Sequence, residues 1–215
     1  MHLFAPLVLI AVVVLPGVAS ATVGGPTVVE VLGYAPVDRK IYWLEDREDS
    51  SDELPQLWFM RTDGAQAGKP IAVRSWYPPD PRAVTHDEEE GIDVRFEARV
   101  ERLRRHLVPM TETTERWRVD TEILGSRTWS GEKFGFGERP EHTVRCTPVH
   151  TSGSALAPAV DVTVYEKPEV DIAGAFEGPS PAIGIVVLRH LGDPYETGYE
   201  VDTVVPVRAA TMSGR

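Results

Sequence analysis

The chain has 215 residues, a formal net charge of −11 with histidine neutral, 42% hydrophobic and 26% charged residues. That composition belongs to a globular protein and excludes a disordered one. The acidic balance argues against nucleic acid and against anionic lipid as partners. The single cysteine, Cys146, cannot form an internal disulfide, so the fold rests on its core.

Residues 1–21 read as a secretory signal peptide. Leu3 to Leu15 is apolar apart from Pro6, and Pro16-Gly17 leads into Val18-Ala19-Ser20-Ala21. An apolar run of this length, ending in a helix breaker and an Ala-x-Ala site, has the form of a cleaved export signal. It is shorter than the roughly 20 residues a transmembrane helix needs; an uncleaved membrane anchor is the alternative reading. Met1-His2 carries no Lys or Arg, so the amino terminus itself supplies the positive charge. No cysteine near Ala21 offers a lipid-anchoring site, and no later segment is apolar enough to cross a bilayer. Cleavage leaves about 194 residues: 22–208 as a single β-rich domain, with a sub-boundary near 78–81 as an alternative, and 209–215 as a flexible tail. Arg far exceeds Lys (18 against 4), and Ala, Val, Gly and Pro are common. That bias suggests a GC-rich bacterial genome, so the expected location is the periplasm, the cell envelope or the medium. The sequence has no Asn and therefore no N-glycosylation acceptor.

Residues 27–33 are apolar and β-branched and predict a strand, closed by a turn at Ala35-Pro36-Val37-Asp38. Residues 40–45 and 56–61 hold Ile-Tyr-Trp-Leu and Leu-Trp-Phe-Met, apolar on both faces, as in central strands. Thr62-Asp63-Gly64 turns the chain, and 69–75 returns as a fourth strand of an antiparallel meander. One amphipathic helix is predicted near residues 87–107. Ile92, Phe96, Val100, Leu103 and Leu107 follow at i, i+4, i+8, i+11 and i+15. Thr85 and Glu88 have capping-box spacing, with Asp87 as a rival cap, and Pro109 marks the stop. Acids crowd the helix start and Arg99, Arg102, Arg104, Arg105 and His106 its end, which complements the helix dipole.

After Pro109 the period changes to two. Residues 117–123 alternate apolar with charged, apart from Thr121, and predict a half-buried strand. Strands at 143–149, 160–165, 170–176, 183–191 and 199–207 follow. The fold class is α+β, mainly antiparallel β, with about nine or ten strands and one helix. Cys146 shares a strand face with Val144 and reads as a small buried apolar residue.

Gly33 to Leu44, followed by Gln56 to Gly64, resembles one blade of the TolB-like β-propellers. The resemblance implies a turn, a strand, a polar loop and a second strand ending in Asp-Gly. Here the turn is Ala35-Pro36-Val37-Asp38-Arg39, without the usual Gly, and Asp63-Gly64 closes the unit. The match covers about 32 residues. A propeller needs at least four such blades, and nothing after residue 78 repeats the pattern. The chain as a whole is also similar to small exported proteins of unknown function from GC-rich bacteria, which implies no activity.

Few residues advertise chemistry. The acidic loop offers Asp46, Glu48, Asp49, Asp52 and Glu53, beside Glu45, as a candidate Ca²⁺ site. It lacks the fixed Asp-x-Asp-x-Asp-Gly spacing of a calcium loop, so a solvated hairpin loop is the simpler reading. The mature part has His86, His106, His142, His150 and His190, none in a metal-ligand spacing. His142 and His150, on one extended strand, would stand about 27 Å apart. There is no Gly-x-Ser-x-Gly elbow, Walker loop or Gly-x-Gly-x-x-Gly, and Gly131 to Gly137 reads as a loop with Phe134 and Phe136 packed inward. The basic helix end could hold an anion, with dipole compensation as the plainer explanation. Tyr42, Trp43, Trp58, Trp76 and Tyr77, with Phe59, could form an aromatic platform for a sugar or peptide, or simply fill the core.

These features lead to an exported, non-catalytic protein that binds or scaffolds something in the envelope, another envelope protein being one partner class. No cofactor is expected. The rival is a small secreted hydrolase whose site is assembled from dispersed residues. A third reading is a fragment that completes a larger β assembly through an exposed sheet edge. For the acidic loop, addition of millimolar Ca²⁺ is expected to leave the melting temperature unchanged; a rise would assign the loop to a cation.

Overall fold

The computed structural model describes residues 25–47, 54–77, 86–132, 137–153, 155–179, 184–194 and 198–209. The expected signal peptide, capping residue Thr85, boundary at 78–81, Phe134, Phe136 and residues 210–215 lie outside the described residues. The protein is mainly β, dominated by antiparallel pairing, with one helix.

β1 (Thr27–Ala35), β2 (Lys40–Arg47), β3 (Gln56–Arg61) and β4 (Pro70–Ala72) form the expected antiparallel meander. Ile41, Tyr42, Trp43 and Leu44 are all buried. Alternation sends Ile41 and Trp43 to one face and Tyr42 and Leu44 to the other, so both faces of β2 are covered. The helix, α1 (His86–Arg104), lays Phe96 and Val100 on Tyr42, Leu44 and Leu57, with Leu103 and Leu107 packed beside them. It ends before Pro109. The turn bond from the His106 N–H to the Leu103 carbonyl (2.8 Å) closes it, and Val108 then exchanges both backbone bonds with Tyr34 (2.8 and 2.9 Å). Pairing with β1 thus captures the chain sooner than the proline would.

After β5 (Thr111–Glu112) come β6 (Trp117–Ser130) and β7 (Glu138–His150), a long antiparallel ribbon. Both strands run well past the expected 117–123 and 143–149. Leu124 is an extra residue between the pairs Ile123↔Val144 and Gly125↔Thr143. This β-bulge shifts the phase of alternation, which hides the second half of the strand from a period-two reading. The two-residue β8 (Ala155–Leu156) is followed by β9 (Val160–Tyr165), β10 (Val170–Glu177), β11 (Gly184–Asp193) and β12 (Tyr199–Ala209). The ten expected strands are all present; β5 and β8 are the short additions.

The main sheet runs β4-β3-β2-β1-β12-β11-β10-β5. Its β1–β12 contact is parallel, unlike its other pairs, and carries a single register pair, Thr27↔Val201. β7 pairs with β6 and β9, and β8 links this second layer to the end of β12. The core has three parts. Val144, Cys146, Val162 and Val164 of the second layer pack against Val186, Leu188, Val205 and Val207 of the main sheet. The helix contact forms the second. In the third, Ile41, Trp43 and Met60 of the meander meet Ile185, with Phe176 and Val204 against them. This cluster unites strands from before and after residues 78–85, and the β1–β12 pairing does the same.

Asp202 secures that junction. Its side chain is 2% exposed. It accepts both guanidinium N–H groups of Arg189 (2.8 and 3.0 Å) and the backbone N–H of Val29 in β1 (3.1 Å). Gly33, at φ +139°, lies where a Cβ would stand 2.9 Å from the Val108 carbonyl oxygen and 3.1 Å from Leu107 Cβ. Asp202→Ala is expected to lower unfolding free energy by about 3 kcal/mol, through loss of a buried, charge-assisted network. Gly33→Ala should cost about 1–3 kcal/mol from backbone strain and crowding. Urea unfolding checks both, with the exposed Val37→Ala as a near-neutral reference.

Candidate functional site

Among the described residues, a groove of about 650 Å³ lies between the β1–β2 turn and the C-terminal half of α1. The turn contributes Ala35, Pro36, Val37 and Asp38; the helix side contributes Arg99, Arg102, Leu103 and His106; Trp76 closes one end. Most of its lining surface is apolar. Val37, at the tip of the turn, is 95% exposed. The turn itself is held rigidly. Arg39, at φ +52°, pairs with Asp63 at 2.7 Å, and its carbonyl accepts from the N–H and hydroxyl of Thr62.

The helix explains the cations. Arg95, Arg99, Arg102 and His106 each stand one position before a core-facing residue: Phe96, Val100, Leu103 and Leu107. One position is a 100° rotation, so these groups form a basic stripe along the flank of the buried face. Arg104 turns away, pairing with Glu101 at 2.7 Å and with Glu30 of β1. Arg99 donates to the Trp76 carbonyl at 3.3 Å, and its guanidinium lies 6.0 Å from the centre of the Trp76 ring, in cation–π range. Neither Arg99 nor Arg102 has a carboxylate partner among the described residues. The His106 Nδ1–H donates to the Arg102 carbonyl at 2.7 Å, which leaves Nε2 outward.

The aromatic candidates do not assemble as one platform. Tyr42 is buried beneath the helix. Trp43 is 1% exposed and stacks on Trp58 at 6.5 Å on the opposite sheet face. Tyr77 is a strut: its hydroxyl accepts from the Leu57 N–H and donates to the Pro55 carbonyl, and burial pushes its pKa up to about 12. Trp76 meets Phe96 edge-on at 6.2 Å and faces the groove. The structure therefore joins one aromatic candidate to the basic helix end, which sequence reasoning kept apart. The one-position offset between basic and apolar stripes is the signal that could have joined them.

Of the acidic-loop residues, Asp46 is an exposed residue of β2. Glu48, Asp49, Asp52 and Glu53 lie outside the described residues. Burial raises the Glu45 pKa, partly offset by Arg47. Among the described residues no three His, Cys, Asp or Glu side chains form a metal-binding group.

Two serine–histidine pairs bear on hydrolysis. Ser126 Oγ lies 2.7 Å from His142 Nδ1, and His142 Nε2 is 3.2 Å from the Glu166 carbonyl. Ser152 Oγ lies 2.6 Å from His150 Nδ1, but the Ser152 backbone N–H also donates to that nitrogen. The Glu177 carboxylate stands 3.8 Å from His150 Nε2, beyond hydrogen-bond length. Both pairs have local structural roles, one across a strand pair and one in a turn, and neither lines the groove.

The sheet-edge reading finds its strand in β6, which among the described residues pairs only with β7 and exposes Ile123 (54%) and Leu124 (41%). Trp117 and Val119 pack against the core before Leu124; beyond it Ser126 and Thr128 are exposed, and Trp129 is half-buried against Tyr165.

Comparison with protein families, curated proteins and solved structures finds no match.

Two buried titrating groups report on integrity. Burial lowers the His190 pKa, partly offset by Asp202. The unfolded chain therefore binds the extra proton first as pH falls below about 6.5, and stability is lost in that direction. Burial lifts the Cys146 thiol to about 11. Native protein should resist a thiol reagent at pH 8 and react fully in urea, and His190→Gln should flatten the loss of stability between pH 7 and 5. Rapid native labelling would refute the buried environment of Cys146.

Proposed function

We propose that this is an exported, non-catalytic binding protein of the periplasm or cell envelope, with the groove beside Trp76 as its ligand site. One observation carries the reading: a mainly apolar groove lining is rimmed by Arg99 and Arg102, which have no carboxylate partner among the described residues. A mainly apolar concavity with a few polar or charged groups at its rim is the usual form of a small-molecule site. The export half rests on the apolar run and Ala-x-Ala site of residues 1–21. The hydrolase reading is favoured by one observation, the short Ser152–His150 contact with Glu177 beyond it. The doubled hydrogen bond on His150 Nδ1 speaks for a turn instead.

Three measurements on one preparation separate these readings. Expression of the full chain in a bacterial host should yield a soluble periplasmic product beginning at Thr22. A serine-directed fluorophosphonate should label nothing; labelling of Ser152 or Ser126 would move the assignment to hydrolysis. A panel of small apolar and amphiphilic compounds should move the Trp76 indole resonance, identified by its loss in Trp76→Phe.

A further inference from the structure

We infer that the groove selects a small apolar monocarboxylate, an aliphatic or aryl carboxylic acid whose head pairs with Arg102 while its body lies along Leu103, Val37 and Trp76. The inference rests on the binding reading above and names the ligand class. Three observations narrow the class. The lining is mainly apolar, so a wholly polar ligand would leave it wet, and its volume of about 650 Å³ lies within the range of small-molecule sites.

The charge count is the second. Among the described residues, two arginines and one carboxylate, Asp38, line the groove. The formal balance of these three side chains is one positive charge. A monoanion neutralises it; a phosphate dianion would overshoot and meet Asp38.

The third is the division of labour between the arginines. Arg99 is already engaged with the carbonyl and ring of Trp76, which fixes the aromatic wall. Arg102 forms no ion pair or side-chain hydrogen bond among the described residues. Its planar fork matches a carboxylate bidentately. Arg105 shares its helix end, charge and exposure but does not line the groove, so it is a matched control.

The test uses the mature chain, NMR of the Trp76 indole N–H, and probes held below their micelle-forming concentrations. Decanoate and 2-naphthoate represent the two carboxylate sources; decanol, decyltrimethylammonium and inorganic phosphate are the comparisons. At least one carboxylate should bind saturably and at least tenfold more tightly than decanol, with affinity falling as salt rises. Which carboxylate is tighter identifies the source. Arg102→Glu should weaken it tenfold or more, and Arg105→Glu less than twofold. Arg99→Glu supplies a second rim variant should Arg102→Glu fail to fold, as judged by its thermal melt. Equal binding of decanol and decanoate, indifference to both rim substitutions, or phosphate binding as tightly as decanoate would overturn the ligand class while leaving a binding groove. No response of Trp76 to any probe would overturn the groove as a ligand site altogether.

Discussion

The architecture hangs on one buried carboxylate. β1 and β12 come from opposite ends of the described chain, and their parallel contact carries a single register pair. Asp202 makes this short seam rigid. It takes two hydrogen bonds from Arg189 on the neighbouring strand and one from the Val29 N–H across the seam. A buried carboxylate is costly unless its oxygens are satisfied. Asp202 has three donors, and one belongs to the other half of the sheet. Displacing β1 would strand a charge in the interior, so the seam holds with few backbone bonds. The meander, the helix on it and the groove beside the helix all inherit their position from this contact.

Curvature comes from the bulges. Four register shifts interrupt the ladders, next to Gly33, Gly125, Gly174 and Gly192. Each adds local twist. The three in the main sheet curve the face on which Trp43 and Met60 meet Ile185 and Phe176. At Gly33 the bulge also opens room for the chain leaving the helix, whose Val108 then bonds to Tyr34. That crossing fixes the axial position of α1, and with it the height of Arg102 and His106 above the β1–β2 turn.

The groove is a by-product of amphipathic packing made specific by charge. A helix with a buried stripe must present the neighbouring positions to the boundary between sheet and solvent. Here those positions hold Arg95, Arg99, Arg102 and His106. Long cationic side chains suit such a boundary, because their stems cover apolar surface while their heads stay wet. Arg104 is used to tie the helix to Glu30, whereas Arg102 remains available. The stripe thus lines a concave surface of opposite sign to the protein's net charge.

Much of the fold was legible in the chain itself. The alternation of 160–165 and the turn at Asp63-Gly64 are local signals, because a strand's period and a turn's geometry depend on nearby residues alone. The i, i+4, i+8 spacing named the helix's buried face, and Phe96, Val100, Leu103 and Leu107 lie there. Local pattern was silent wherever a distant segment decided the outcome. β6 continues past Ile123 because β7 pairs with it through a bulge that erases the alternation. The helix stops at Arg104 because Tyr34 captures Val108. Trp43 and Trp76 look alike as exposed-or-core candidates; one was buried against Trp58, Met60 and Ile185 and the other left at a groove, since burial depends on what packs above a residue. The sequence by itself determined the strands, the helix and its two stripes, whose causes act over a few residues. Only the tertiary structure decided that Asp202 would join the ends of the sheet and that Trp76 would stand beside Arg99 and Arg102, because those contacts join segments far apart along the chain.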